Sequence, residues 1–134
     1  MRILIIDGQG GGMGRQLVQQ VKAAFPGAQL RAVGTNSAAA AAMRKAGADI
    51  ATTGENAVVV GAKWADVIIG PVGIVIADAL YGEITPNMAV AVGQSSAKRI
   101  LIPVNHCDNL IAGVSEQPMG RLIESAIALI SEGN

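Results

Sequence analysis

Five glycines within residues 8–14 constrain the fold of this chain more than any other feature. They follow a short apolar segment, residues 2–6, and precede apolar residues at helical spacing, namely Met13, Leu17, Val21 and Ala24. A buried strand, a glycine-rich turn and a helix, in this order, are typical of the start of a βαβ unit in a parallel sheet. Glycine also lets the backbone turn sharply and approach a ligand that a Cβ would keep away.

The remaining sequence repeats this alternation of short apolar runs and helical segments. We predict further strands at residues 29–33, 49–52, 66–69 and 99–104, with residues 110–114 as a sixth strand at an edge. Helices are predicted between them at 37–45, 56–64, 73–80 and 85–95, with a last helix from Ser115. No linker or repeat divides the chain, so residues 1–134 are predicted to form one α/β domain. Its expected architecture is a three-layer Rossmann-like fold with a mostly parallel sheet of five or six strands.

Composition narrows the classes of partner. The 10 basic and 10 acidic residues balance, and no basic stripe is present, so nucleic acid is not an expected partner. The single cysteine forms no intrachain disulfide and gives no sign of an oxidising compartment. We see no leader and no apolar run of membrane-spanning length, and we therefore expect a cytoplasmic protein that does not contact membranes.

The spacing of the glycines indicates a phosphate-binding turn. The pattern GxGxxG fails because Met13 stands at its last glycine, whereas GxxxGxG fits through Gly8, Gly12 and Gly14. Backbone N–H groups at the start of the following helix would then hold the phosphate. The predicted contacts are Gly8, Gln9, Gly10, Gly11, Gly12, Met13 and Gly14. The alternative is a tight turn that binds nothing.

The loop after the second strand bears on the identity of the nucleotide. NAD-binding folds have an acidic residue here that holds the ribose 2′-hydroxyl, and this sequence has none. Thr35 and Asn36 are predicted to contact the ribose, and Arg31 or Arg44 could add positive charge for a 2′-phosphate, which favours NADP over NAD. The alternative is that the segment only caps a helix at Ser37.

The later loops supply further candidates. Gly70, Pro71 and Gly73, after the fourth strand, are predicted to face the distal half of the ligand together with Asn105. The alternative for the glycines is ordinary turn chemistry.

Several polar residues have no assigned catalytic role. His106 and Cys107 are adjacent, so they are poorly placed to form a metal site or a dyad, and no metal is expected. The alternatives are that Cys107 acts alone as a nucleophile or that these residues have a loop or interface role, which is favoured. Asp7 either contacts a ribose or a metal, or caps the glycine turn. Glu83 is either an acid–base group or a solvated side chain, with solvation favoured, and Asp78 within an apolar helix would need a partner.

The motifs IDGQGGGMG, GTNS, TGEN, IIGP, EITP and ILIPVN resemble a family of short bacterial proteins of unknown function over nearly all 134 residues. This resemblance implies a compact Rossmann-like domain. The first loop alone resembles the cofactor loop of short-chain dehydrogenases. Those enzymes use a tyrosine with a lysine four residues later, whereas Tyr81 here is followed at that distance by Thr85, so their chemistry does not carry over.

Three functional hypotheses follow. The first is a nucleotide-binding protein with NADP(H) or NAD(H) as its cofactor and an unassigned reaction. The second is a small regulatory or interaction subunit that senses a nucleotide or phosphate ligand without catalysis, with its apolar last helix as the face of a possible homodimer. The third is a structural protein whose glycine-rich segment is only a turn.

Overall fold

The structure, a computed structural model, describes residues 1–104 and 109–132. Along these residues five strands alternate with α-helices. The strands are β1 (Arg2–Asp7), β2 (Gln29–Gly34), β3 (Ile50–Thr53), β4 (Val67–Pro71) and β5 (Lys98–Ile102). The helices are α1 (Gly12–Ala24), α2 (Ser37–Ala46), α3 (Glu55–Trp64), α4 (Pro86–Gly93) and α5 (Met119–Ile130), and a short 3-10 helix (Val72–Val75) follows β4.

The five strands form one sheet in the order β3-β2-β1-β4-β5, and every neighbouring pair is parallel. Ile3 on the central strand β1 lies opposite Leu30 on β2 and Val67 on β4. The chain first builds the sheet outward to β3 and then returns to add β4 on the other side of β1. Strand order therefore reverses beside β1, as in Rossmann-type folds. The predicted α/β class with a parallel sheet is confirmed.

Both faces of the sheet are covered. Ile3 and Ile5 face one core, which α1, α2 and α5 cover, while Leu4 and Ile6 face a second core under α3 and α4. Burial on both sides explains why β1 reads as a continuous apolar run rather than an alternating one. None of the helices in the described residues is long and apolar enough to cross a membrane.

The predicted sixth strand at residues 110–114 is wrong. The segment makes a turn in which the N–H of Val114 donates to the carbonyl of Ile111 (3.3 Å), and Gly113 has φ 81°. Leu110 is 89% exposed, so the apolar side chains that suggested a strand do not enter a core. Apolar content alone therefore gave a false strand here.

The structure also differs from the prediction at the start of the last helix, at residues 73–80 and at the cap of α2. The last helix begins at Met119 rather than Ser115, because Pro118 at its N-cap disfavours helical backbone in the residue before it. Of the predicted helix at 73–80, only the 3-10 helix forms, followed by turns. The cap of α2 is Asn36 rather than Ser37, since the Asn36 side chain accepts from the N–H of Ala39 (2.8 Å).

Candidate functional site

A cleft of about 180 Å³ opens at the carboxyl ends of the central strands. We call residues 8–14 the glycine loop, and residues 8–13 form one wall of this glycine-loop cleft. Pro71 at the end of β4, Val104 beyond β5 and Met119 at the start of α5 contribute to the other side. The cleft lies where strand order reverses, which is the position at which open α/β sheets bind ligands.

The glycine loop is a tight turn with left-handed backbone at two positions. The N–H of Gly11 donates to the carbonyl of Gly8 (3.0 Å), and Gly11 has φ 73°. Gln9 has φ 52°, although it is not glycine. Such a conformation costs about 1–3 kcal/mol and persists only where surrounding contacts stabilise it. Those contacts come from two carboxylates, Asp7 and Glu83.

Asp7, the last residue of β1, fixes the glycine loop by hydrogen bonds to its backbone. Its side chain is only 6% exposed, and its two oxygens accept from the N–H of Gly8 (2.8 Å) and the N–H of Gly14 (2.7 Å). The Gly14 N–H is one of the donors that the first turn of α1 leaves unused, so the negative charge also interacts favourably with the helix dipole. Of the two predicted roles for Asp7, the structure places it as the cap of the glycine turn.

Three of the five glycines are required by contacts within the protein. A Cβ at Gly8 would lie 2.5 Å from Thr35 Oγ1, one at Gly11 would lie 2.8 Å from the backbone of α2, and one at Gly14 would lie 2.5 Å from Met43 Sδ. These distances are shorter than any real Cβ contact. Gly8 therefore lets Thr35 and the loop that carries Glu83 approach the turn, while Gly11 and Gly14 let the start of α1 pack closely against α2.

Gly10 and Gly12 differ from the other three. Among the described residues, a Cβ at either would meet nothing within 4 Å, neither has positive φ, and both line the cleft. The first helical hydrogen bond of α1 runs from the N–H of Arg15 to the carbonyl of Gly11 (2.8 Å). The N–H groups of Gly12 and Met13 precede it, so the helix does not use them. They remain as donors for a ligand or for water at the wall of the cleft.

Sequence reasoning named Glu83 as an acid–base or solvated residue but missed its contacts with the glycine loop. It lies in the loop between β4 and α4, yet its Oε1 accepts from the N–H of Gln9 (2.8 Å), from Thr35 Oγ1 (2.5 Å) and from Asn36 Nδ2 (3.2 Å). The expectation of a solvated side chain is therefore wrong. Burial raises the pKa of Glu83, but the hydrogen bonds from Gln9, Thr35 and Asn36 together lower it below its ordinary value.

No local pattern could have predicted the contacts of Glu83, because it is 74 residues from Gln9 and 48 residues from Thr35 in the sequence. The only sequence signal is its place in a loop that follows a strand of the sheet. Asp78, in the same loop, is exposed and has φ 65°. The prediction that it lies in a helix is therefore wrong.

Thr35 and Asn36, the predicted ribose contacts, lie at the carboxyl end of β2 and bind Glu83. Asn36 additionally donates from Nδ2 to the carbonyl of Gln9 (2.8 Å), so it links the start of α2 to the glycine loop. Neither residue is among those lining the glycine-loop cleft.

The two arginines expected to add charge near Thr35 lie elsewhere. Arg44 donates to the carbonyls of Ala48 (3.0 Å) and Asp49 beyond the end of α2, near the amino ends of the strands. The Arg31 guanidinium stacks on Trp64 with 4.1 Å between its central carbon and the ring centroid. The charge argument that favoured NADP is therefore not supported, because both cations are engaged away from the carboxyl ends of the strands, where Thr35 lies.

The predicted contacts after β4 divide in the same way. Pro71 lines the cleft. A Cβ at Gly70 would lie 2.4 Å from the carbonyl oxygen of Ile6, so close packing accounts for this glycine. A Cβ at Gly73 would be tight against Ala79 Cβ, at 3.2 Å.

Part of the predicted site falls on residues 105–108. Asn105, His106 and Cys107 therefore lie outside the described residues. Within residues 1–104 and 109–132, no three His, Cys, Asp or Glu side chains come together as ligands of a metal would.

The fold and the cleft together define a Rossmann-like domain with a glycine loop at its topological switch point. The chain belongs to the family described as "Domain of unknown function (DUF3842)", whose model matches residues 2–133. This match confirms the resemblance predicted from the sequence motifs. A search of the curated proteins found no match.

Among solved structures, the chain is similar to a dodecameric FMN-dependent UbiX-like decarboxylase from Escherichia coli O157:H7. The sequences are 18% identical, the TM-score is 0.49, and the alignment covers 98% of this chain and 75% of that chain. This likeness says nothing about the ligand or the assembly of the present chain.

Proposed function

We propose that this chain binds a nucleotide whose phosphates are held by the glycine loop, with NADP(H) or NAD(H) as the first candidates. The observation that carries the proposal is Gly12. A Cβ at this position would meet no atom of residues 1–104 or 109–132 within 4 Å, and the backbone does not have positive φ, so packing among these residues does not require glycine there. A phosphate that approaches the backbone at the start of α1 does need it.

The electrostatics of the cleft favour a dinucleotide over a nucleoside triphosphate. The N–H groups of Gly12 and Met13 lie at the positive end of the α1 dipole, which suits an anion. The described residues lining the cleft include Asp7 but no lysine or arginine, so strong negative charge in the ligand is not neutralised. A terminal phosphate carries about −1.5 to −2, whereas each phosphate of the diphosphate bridge in a dinucleotide carries about −1. The weaker charge fits the donors better.

The size of the cleft indicates which part of the ligand it holds. Its volume of about 180 Å³ is below the roughly 300–1,000 Å³ that encloses a whole small ligand. The phosphates therefore occupy the cleft, and the two nucleoside ends extend along the carboxyl ends of the strands, one of them toward Thr35, which follows β2.

A thermal-shift screen tests this proposal. The panel is NAD(H), NADP(H), FAD, ATP, GTP, S-adenosylmethionine and coenzyme A. A ligand at about 100 times its dissociation constant stabilises the folded state by about 2.7 kcal/mol, which is a shift of several degrees for a domain of this size. We expect this shift with a dinucleotide.

The variant Gly12→Ala then locates the site. Its Cβ fits the free protein, so its own melting temperature should equal or exceed that of the wild type, while the ligand-induced shift disappears. Gly93→Ala is the matched control, because Gly93 is an exposed helical glycine in α4 with nothing within 4 Å. A shift that survives in Gly12→Ala, or no shift with any ligand, would overturn the proposal.

One observation favours a regulatory role for the same site. Leu110 (89% exposed) and Val114 (45% exposed) line a second groove, which shares Val104 and Met119 with the glycine-loop cleft. A ligand in the cleft would therefore contact residues that also shape an exposed apolar surface. A regulatory subunit should change its molar mass in light scattering when the ligand binds and leave the ligand unreacted, whereas an enzyme should turn the ligand over.

A further inference from the structure

Glu83 brings a carboxylate to the end of β2, although the residues that directly follow β2 include no acidic side chain. Dinucleotide-binding folds have an acidic residue at this position that hydrogen-bonds the ribose 2′-hydroxyl. Here β2 ends at Gly34, and Thr35 follows with its hydroxyl 2.5 Å from Glu83 Oε1. The carboxylate thus reaches the end of β2 from the loop between β4 and α4, a different part of the chain.

The carboxylate is also next to the loop that would hold the phosphates. Glu83 Oε1 is 2.8 Å from the N–H of Gln9, and Gln9 is the direct neighbour of Gly10 on the wall of the cleft. A nucleotide with its phosphates at Gly10 and Gly12 and one ribose directed toward β2 would therefore place that ribose beside Glu83.

One oxygen of Glu83 remains available. The hydrogen bonds from Gln9, Thr35 and Asn36 all end on Oε1, and none of the described hydrogen bonds ends on Oε2. An ionised carboxylate only accepts hydrogen bonds, so Oε2 suits a hydroxyl donor and repels a phosphate. The guanidinium groups of Arg31 and Arg44, engaged elsewhere, do not offset that repulsion.

We propose that Glu83 makes this site selective for nucleotides with a free ribose 2′-hydroxyl and excludes those with a 2′-phosphate. This inference rests on the proposed nucleotide-binding function and refines it, because NAD(H) then becomes the preferred ligand and NADP(H) the rejected one. Thr35, Asn36 and the N–H of Gln9 act as positioning groups that fix the carboxylate.

Isothermal titration calorimetry tests the inference, with NADH and NADPH each titrated into the protein to measure their affinities. The wild type should bind NADH at least about tenfold more tightly than NADPH, because like charges placed side by side strongly disfavour binding. In Glu83→Gln the ratio of the two affinities should fall to within about threefold, since the repelling charge is gone. Glu55→Gln is the matched control. Glu55 likewise accepts from a threonine and an asparagine, Thr85 (2.6 Å) and Asn87 (3.4 Å), but on α3 and away from the glycine loop, so the wild-type ratio should persist.

A ligand-side comparison keeps the test independent of how well the variant folds. With the wild type alone, an analogue of NADH that lacks the 2′-hydroxyl of the adenosine ribose should bind more weakly than NADH, because it lacks the hydrogen-bond donor to Glu83. Equal affinities of the wild type for NADH, NADPH and the analogue would overturn the inference and leave the proposed function standing, as would an unchanged ratio in a folded Glu83→Gln. If none of the three binds, the proposed function fails and the inference fails with it.

Discussion

At the scale of single residues, the five glycines of the loop have different physical reasons to be glycine. Gly8 and Gly14 allow close contacts, Gly11 adopts a left-handed conformation against α2, and Gly10 and Gly12 face the open cleft. A motif such as GxxxGxG cannot separate these reasons, because spacing reports that glycine is present and not what lies opposite each Cα. The sequence could therefore predict the loop and its place after β1, but not which glycines face a ligand.

Gly11→Ala should destabilise the protein strongly. Its φ of 73° is unfavourable for alanine, and the new Cβ would lie 2.8 Å from Ala39 Cα, which is backbone and cannot move aside. The expected loss in the free energy of unfolding is about 2 kcal/mol or more, measured by urea denaturation.

Gly10→Ala is the control for this effect in the same loop. A Cβ there meets nothing within 4 Å, and the expected change in unfolding free energy is within about 0.5 kcal/mol. Equal losses for the two variants would contradict the distinction drawn here between structural glycines and those facing the cleft.

At the scale of elements, helix starts connect the secondary structure to the candidate site. Asn36 caps α2 through Oδ1, while its Nδ2 donates to the carbonyl of Gln9 in the glycine loop. One side chain therefore caps the start of α2 and also fixes the position of the glycine loop. Two parts of its amide carry the two roles, so suitable substitutions can separate them.

Asn36→Ala should lose about 2 kcal/mol in total, because the helix cap is worth about 1 kcal/mol and the hydrogen bonds that Nδ2 donates to Gln9 and Glu83 are together worth about as much. Asn36→Ser should lose about half as much, because serine is a good cap but its hydroxyl is too short to reach Gln9. Urea denaturation of the three proteins gives the order of stability. If the serine variant were as unstable as the alanine variant, the cap would contribute nothing.

The elements that sequence reasoning predicted well are those with local signals. The buried run of β1, the helical spacing of α1 and the Thr85 cap followed by Pro86 in α4 all place the element within a residue or two. The failures are residues 73–80 and 110–114, whose apolar side chains suggested regular structure. In the structure these segments form turns with positive φ at Leu80 and Gly113, and only tertiary contacts decide such conformations.

At the scale of the whole molecule, the candidate site is assembled from segments that no sequence window contains. The glycine loop, the end of β2 and the loop before α4 meet because β1 lies between β2 and β4 in the sheet. Sequence reasoning predicted that strand ends would meet, since this follows from a parallel sheet. It could not predict that Glu83 would bind Thr35, because the strand order and the path of the β4–α4 loop determine that contact.

The same long-range contact should make the stability of the protein depend on acid. Burial raises the pKa of Glu83, but its hydrogen bonds outweigh that effect and hold the pKa in the folded state below the ordinary value of 4.5. A carboxyl whose pKa is lowered by folding stabilises the protein fully above its unfolded pKa, and this contribution disappears as the pH falls through the folded pKa. The hydrogen bond from the Lys22 side chain, followed by that from the Leu30 N–H, lowers the pKa of Asp49 in the same sense. We therefore expect the free energy of unfolding to be highest near neutral pH and to decline below about pH 4.5.

Glu83→Gln should be less stable than the wild type by about 1 kcal/mol at pH 7, and the difference should shrink on acidification because the wild type then loses its carboxylate. Urea denaturation of both proteins across pH 3–7 measures this, and parallel profiles would show that the charge of Glu83 does not stabilise the fold.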